Sequence, residues 1–141
     1  YKKMPFLRIA PICNGKIYVA PRSYQGEEPG KLDIPMEDYI YACKTDTDKY
    51  AKEVENKYSN HITGQPEPRF SLKHLVKETN GVKKTIMLYI LPLNDEEQIH
   101  FTGGKFVTPE EIEMNSAQYS SFLKEEIDHL NIVTQMWEEF K

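Results

Sequence analysis

Glu53, Asn56 and Lys57 lie at i, i+3 and i+4 within the segment KYAKEVENKYS, 49–59. A helix would place all three on one face. Three acids in that arrangement would hold a hard divalent cation through their oxygens. Only Glu53 is an acid here. Asn56 offers one neutral oxygen, and the protonated ammonium of Lys57 donates and cannot ligate. Lys57 follows Glu53 by four residues, an orientation that favours an ion pair worth about 0.3 kcal/mol. Glu55 carries a further carboxylate but points to another side of the helix. Taken alone, these residues read as a solvated helix face with no metal site.

Little else in the chain has the spacing of a reactive centre. His61, His74, His100 and His129 are far apart, and none pairs with another His or a Cys at a metal-ligand interval. They read as structural histidines. No G-x-S-x-G, P-loop or G-x-G-x-x-G occurs. Gly103-Gly104 reads as a turn entering a strand rather than a phosphate cradle. Cys13 and Cys43 are isolated thiols, too few for a disulfide framework and outside any C-x-x-C pair. They fit a reducing compartment, so a cytoplasmic setting is expected. Arg22 ends a candidate strand just before a Gly- and Pro-rich loop, where it would either meet a phosphate or project into solvent.

The elements that must position these residues come from a chain of 141 residues, 28% charged and 39% hydrophobic. That balance belongs to one globular domain with its own core. The net charge of −4 lacks the basic footprint of a nucleic-acid binder. The longest apolar runs, such as IMLYILPL (86–93), are too short to span a bilayer, so no membrane contact is expected. YKKMPFLRIAPIC (1–13) is broken by Pro5, Arg8 and Pro11 and does not read as a signal peptide. The start without Met leads us to expect one domain of a longer protein.

PFLRIAPIC and KIYVAPRS flank Asn14-Gly15, the signature of a type I′ hairpin. LDIP (32–35) is a short extended piece, and EDYIYACK (37–44) holds another. Thr45 to Asp48 supply N-cap candidates for a helix over about 47–59, with Ala51, Val54 and Tyr58 on its apolar face. FSLKHLVKE (70–78) and KKTIMLYILPL (83–93) flank Asn80-Gly81 as a second hairpin. Thr108-Pro109-Glu110-Glu111 has the cap and first turn of a short helix. Tyr119, Leu123, Ile127, Leu130, Val133 and Trp137 mark a long helix over 116–140. Strands interrupted by one helix and followed by two more make an α+β domain.

This order of pieces resembles the Nudix hydrolase domain over about residues 5–115, with 116–140 as an added C-terminal helix. LDIP is similar to the family's W-x-L-P entry to its signature, KIYVAPR to the strand ending in a basic residue, and KFVTPEEIE (105–113) to its R-W-V-T-P-E-E-L segment. KYAKEVENKYS falls where the family has R-E-x-x-E-E. Setting Lys52 on that arginine keeps Glu53 and Val54, but Asn56 and Lys57 replace the paired glutamates and Ser59 replaces the glycine. Lys44 falls on the upstream glutamate and Asp38 on the first glycine, while Met36-Glu37 replaces the Gly-Gly after the proline. The family tetrad has a net charge of −2; Lys52, Glu53, Asn56 and Lys57 together carry +1.

The resemblance implies an α/β/α sandwich of Nudix type with a mixed sheet. In the family the acids bind Mg²⁺ or Mn²⁺ that activates water against a diphosphate. With Glu53 the one carboxylate kept, the resemblance implies a degenerate site with no confident catalytic residue and no metal or other cofactor. A ligand-sensing or interaction module follows. Arg22, Lys44, Lys52 and Lys57 would form a cationic patch for an anionic small molecule such as a nucleotide. One alternative is a divergent Mg²⁺-dependent pyrophosphohydrolase acting on nucleoside diphosphate derivatives through Glu53, Glu55 and acids such as Glu37, Asp38, Glu110 or Glu111. The other is a structural domain that homodimerises through the C-terminal helix, with Trp137 and Phe140 either capping the core or seating on another chain.

Overall fold

The computed structural model describes residues 6–39, 47–77 and 83–140. Asn80-Gly81, Cys43 and Lys44 lie outside the described residues. Strand β1 (Phe6–Cys13) turns through Asn14 (φ 54°) and Gly15 (φ 73°) into β2 (Lys16–Pro21). Both turn residues have the positive φ that a type I′ turn demands. The expected extended pieces become β3 (Leu32–Asp33) and β4 (Met36–Tyr39). Helix α1 (Thr47–Lys57) follows, then β5 (Arg69–Lys77) and β6 (Lys83–Pro92). The last elements are β7 (Lys105–Val107), α2 (Pro109–Met114) and α3 (Ser121–Glu139).

The strands form one mixed sheet in the order β3-β2-β1-β6-β5, with β4 also on β1 and β7 also on β2. β1 and β6 run parallel, Phe6 opposite Ile86 through Ile12 opposite Pro92. The other pairings are antiparallel. On its other edge β1 divides its partners. Its end pairs with β2, Ile12 opposite Ile17, and its start pairs with β4, Phe6 opposite Tyr39 through Ile9 opposite Met36. The sheet therefore forks between β2 and β4.

The strand alternation of period two feeds a core on each face. Ala10 and Ile12 of β1 pack with Ile112, Leu123, Ile127 and Leu130 of α2 and α3. Leu7 and Ile9 pack with Ala51 and Val54 of α1. Each fully buried Leu or Ile contributes roughly 1.5–3 kcal/mol. The result is the expected α+β domain, helices on both faces of a mixed sheet. The expected cap of α2 is present: Thr108 Oγ1 accepts from the Glu111 N–H, with Pro109 in the first turn. The last helix is shorter than the periodicity indicates. Residues Ser116–Gln118 form a separate 3-10 turn, and Ser120 caps α3 by accepting from the Leu123 N–H. Trp137 packs against the core, whereas Phe140 is exposed.

Candidate functional site

The fork in the sheet is filled by charge. Arg8 on β1 is fully buried, in register with Glu37 on β4. Its guanidinium donates to Asp33 at 2.7 and 3.1 Å, to Glu126 of α3 at 2.8 and 2.9 Å, and to Glu37 at 2.6 Å. Arg22, just past the end of β2, donates to Asp33 at 2.5 Å and to the Glu27 carbonyl at 2.8 Å. His74 of β5 donates from Nε2 to Glu126 Oε2 at 3.0 Å, the oxygen that also accepts from Arg8 Nε. Two guanidinium groups thus hold three carboxylates in the interior. Such a cluster survives burial because the carboxylates and both cations satisfy one another's hydrogen bonds.

The titration of these groups follows from that packing. Burial opposes the charge on Arg8, but the carboxylates of Asp33 and Glu126 override it and hold the guanidinium protonated more firmly than in water. Burial also opposes the charge on Asp33, yet Arg8 and Arg22 draw its carboxyl below the usual range. Glu37 goes the other way: burial raises its carboxyl, Arg8 lowers it, and Asp33 raises it again, leaving it above the usual range.

Above the cluster opens a cleft of about 390 Å³, lined by Arg22, Asp33, Glu37, His61, Phe101 and the loop around Gly26. The His61 and Phe101 rings stack at 4.0 Å and 6° and make a flat wall. His61 Nδ1 donates to the His100 carbonyl at 2.9 Å, which fixes the ring. Tyr58 donates to the Glu37 carbonyl at 3.1 Å, tying the end of α1 to β4.

On helix α1, positions 53, 56 and 57 hold one acid between them. Glu53 and Asn56 are exposed. Lys57 finds its carboxylate on Asp38 of β4, where the spacing within the helix had suggested Glu53. Lys52 pairs with Glu55 at 3.0 Å and donates to the Pro66 carbonyl at 3.3 Å. Glu55 is itself buried. Among the described residues no three His, Cys, Asp or Glu side chains converge in a metal-holding group. One exposed carboxylate, one amide and an ammonium committed to Asp38 do not fit a divalent cation. Nor do Met36 and Glu37 leave the space of two glycines: Met36 is fully buried against α1, and Glu37 reaches Arg8.

Of the residues expected to form a cationic patch, Arg22 and Lys52 line separate cavities, and Lys44 lies outside the described residues. Arg22 lines the cleft at the fork, while Lys52 lines a different cavity of about 450 Å³ with Glu55, Asn56 and Gln65. Arg22 neither projects into solvent nor stands alone; its side chain is 14% exposed and faces Asp33. Glu110 and Glu111 are exposed on α2. Gly103 (φ 73°) and Gly104 form the turn into β7, and a Cβ on Gly104 would lie 2.0 Å from the Tyr18 hydroxyl. That turn is a close-packing device. Arg8, Asp33, Glu126 and His74 escaped the sequence reading as site residues. Arg8 did leave a signal: a lone cation inside the apolar run FLRIAPIC must be either exposed or paired.

No family model matches the sequence, and no curated protein matches it. Solved structures do resemble the fold. A NUDIX hydrolase from Nitrosomonas europaea superposes with a TM-score of 0.65 at 12% identity, covering 94% of this chain and 91% of that one. The Nudix hydrolase RenU from M. smegmatis gives 0.61 at 11% identity, covering 96% and 89%. The C-terminal domain of mouse MUTYH, solved in complex with human PCNA, gives 0.58 at 14% identity, covering 99% and 90%. The chain has a Nudix-type fold, as the order of its segments implied. At these identities the likeness is one of fold alone.

Proposed function

We propose that this domain is a Nudix-fold binding module that does not hydrolyse diphosphates. The observation that carries the reading is the Lys57–Asp38 ion pair. It places an ammonium and its counter-charge where a metal-binding helix would present a second carboxylate. A hydrolase of this fold needs a cation to activate water, and the side chains of α1 do not fit one. The divergent-hydrolase alternative loses a further acid, since Glu55 is buried against Lys52.

The cleft at the fork is the natural ligand site. Its His61–Phe101 wall suits a flat ring, and Arg22 is its cation for an anionic group such as that of a nucleotide. Lys52 and Lys57 would contribute at longer range, each being offset by its own carboxylate. The MUTYH domain, solved with a protein partner, supports the idea that such a fold can serve in binding. The test is a panel of nucleoside diphosphate derivatives, assayed for Mg²⁺-dependent phosphate release and for a shift in melting temperature. Thermal shifts without turnover are expected; turnover that disappears on Glu53→Gln would overturn the reading.

A second reading, self-association, is favoured by Ile132, Met136 and Phe140. These are 58%, 51% and 80% exposed at four-residue intervals on α3 and its cap. A mass that rises with concentration in light scattering, and falls back on Met136→Lys, would support it.

A further inference from the structure

Beside the ion cluster lies a second cleft, of about 300 Å³, walled by aromatic rings. Phe6 of β1 and Tyr39 of β4 are register partners, their rings 4.8 Å apart and inclined at 54°. Phe122 of α3 stands 6.4 Å from Phe6 at 44°. Three rings inclined to one another form a cup. In that cup sits the ammonium of Lys84 from β6, 4.6 Å from the Phe6 centroid, 5.0 Å from Tyr39 and 5.6 Å from Phe122. Three carboxylates, Glu27, Glu37 and Asp38, and one further cation, Arg22, also line the cleft. Tyr39 is 41% exposed, so the cup opens to solvent.

We propose that Phe6, Tyr39 and Phe122 form a binding cage for a small organic cation with an alkylated ammonium group, which Lys84 occupies until that ligand replaces it. Ring faces attract a cation within about 6 Å of their centroids, and all three distances to Lys84 meet that condition. A primary ammonium is compact and strongly hydrated, so it makes limited use of three apolar faces. An alkylated ammonium is less hydrated and has methyl groups to fill them. The carboxylates at the rim favour the same sign of charge.

Exchange, rather than addition, follows from Phe122. Its ring is already 5.3 Å from the Arg8 guanidinium carbon and 5.5 Å from that of Arg22. A further cation beside Lys84 would find the ring faces already taken, whereas one that replaces its ammonium uses the same three faces. Binding in the cage is independent of any hydrolysis by the domain.

The test titrates choline into the full chain by calorimetry and by NMR. Its uncharged isostere, 3,3-dimethylbutan-1-ol, serves as the control. Lys84→Met removes the internal competitor while keeping the apolar stem, and is expected to bind choline about tenfold more tightly than the original protein. The isostere should bind about tenfold more weakly than choline. Tyr39→Leu, at the exposed wall, should cost Lys84→Met about fivefold in affinity without unfolding it, as circular dichroism would verify. Lys84→Gln provides a second vacated cage if Lys84→Met does not fold. Equal binding of choline and its isostere, indifference to Tyr39→Leu, or no choline binding by either vacated cage would overturn the proposal. Tighter capture of a trimethyllysine peptide than of choline would overturn the assignment to a small molecule.

Discussion

The Arg8 guanidinium grips both carboxylate oxygens of Glu126, with Nε at 2.9 Å from one and Nη2 at 2.8 Å from the other. Strand β1 and helix α3 are thereby joined through the interior. Removing only the Arg8 cation leaves buried Glu126 with His74 as its remaining partner and Asp33 with Arg22 alone. Arg8→Met should therefore lose about 3–5 kcal/mol of stability in urea unfolding, the usual cost of breaking a buried pair from one side. A loss below about 1 kcal/mol would mean that the cluster rearranges or admits water.

Glu37 and Asp33 respond oppositely to pH. The folded state lowers the Asp33 carboxyl, so its stabilising contribution is present above the ordinary carboxyl range and is lost as pH falls through its depressed value. The folded state raises the Glu37 carboxyl, so its contribution is full below the ordinary range and is lost as pH rises through its elevated value. Glu37→Gln keeps an acceptor for Arg8 and removes the charge. It should stabilise the protein by less than about 1 kcal/mol at pH 7.5, with the gain shrinking toward pH 4. Paired urea melts at the two values measure it. A gain that grows on acidification would reverse the sign assigned to Glu37.

Helix α1 offers a gain-of-function test. Asn56→Glu combined with Lys57→Glu adds two acids next to Glu53 and sets one of them against Asp38. Like charges should lower the melting temperature in the absence of metal, and millimolar Mg²⁺ should restore it. The original protein should show no Mg²⁺-dependent shift. A similar shift in both would place a cation site elsewhere in the chain.

The turn into β7 tolerates no side chain at Gly104. Tyr18 accepts the Phe101 N–H at 2.8 Å directly across it. Gly104→Ala should cost about 1–3 kcal/mol through overpacking, read as a lower melting temperature. Pairing it with Tyr18→Phe should recover little, because ring carbons remain 2.4 and 2.8 Å from the new Cβ and the Phe101 N–H loses its acceptor.

Much of the scaffold was legible because it is written locally. The Asn14-Gly15 hairpin, the Thr108 cap and the apolar stripe of α3 each depend on residues a few positions apart, and each is present. The site was less legible because it is not local. Arg8, Asp33, Glu37 and Glu126 meet through sheet register and helix docking, which no spacing encodes. The partner of Lys57 illustrates the same limit. Helical spacing proposed Glu53, but a carboxylate on β4, 19 residues earlier, captures it. The apolar period starts the last helix at about 116, whereas the Ser120 cap starts it at Ser121.

The order of the chain gives the Arg8–Glu126 contact a temporal side. During synthesis β1 appears early, its parallel neighbour β6 only some eighty residues later, and Glu126 later still, 118 positions beyond Arg8. Until then Arg8 has only Asp33 and Glu37 as partners, and a sheet that closes without α3 leaves its Nε buried with no acceptor. The same arginine that anchors the finished domain thus acts against premature closure. Contacts so distant along the chain also make folding slow relative to a helical bundle of equal length.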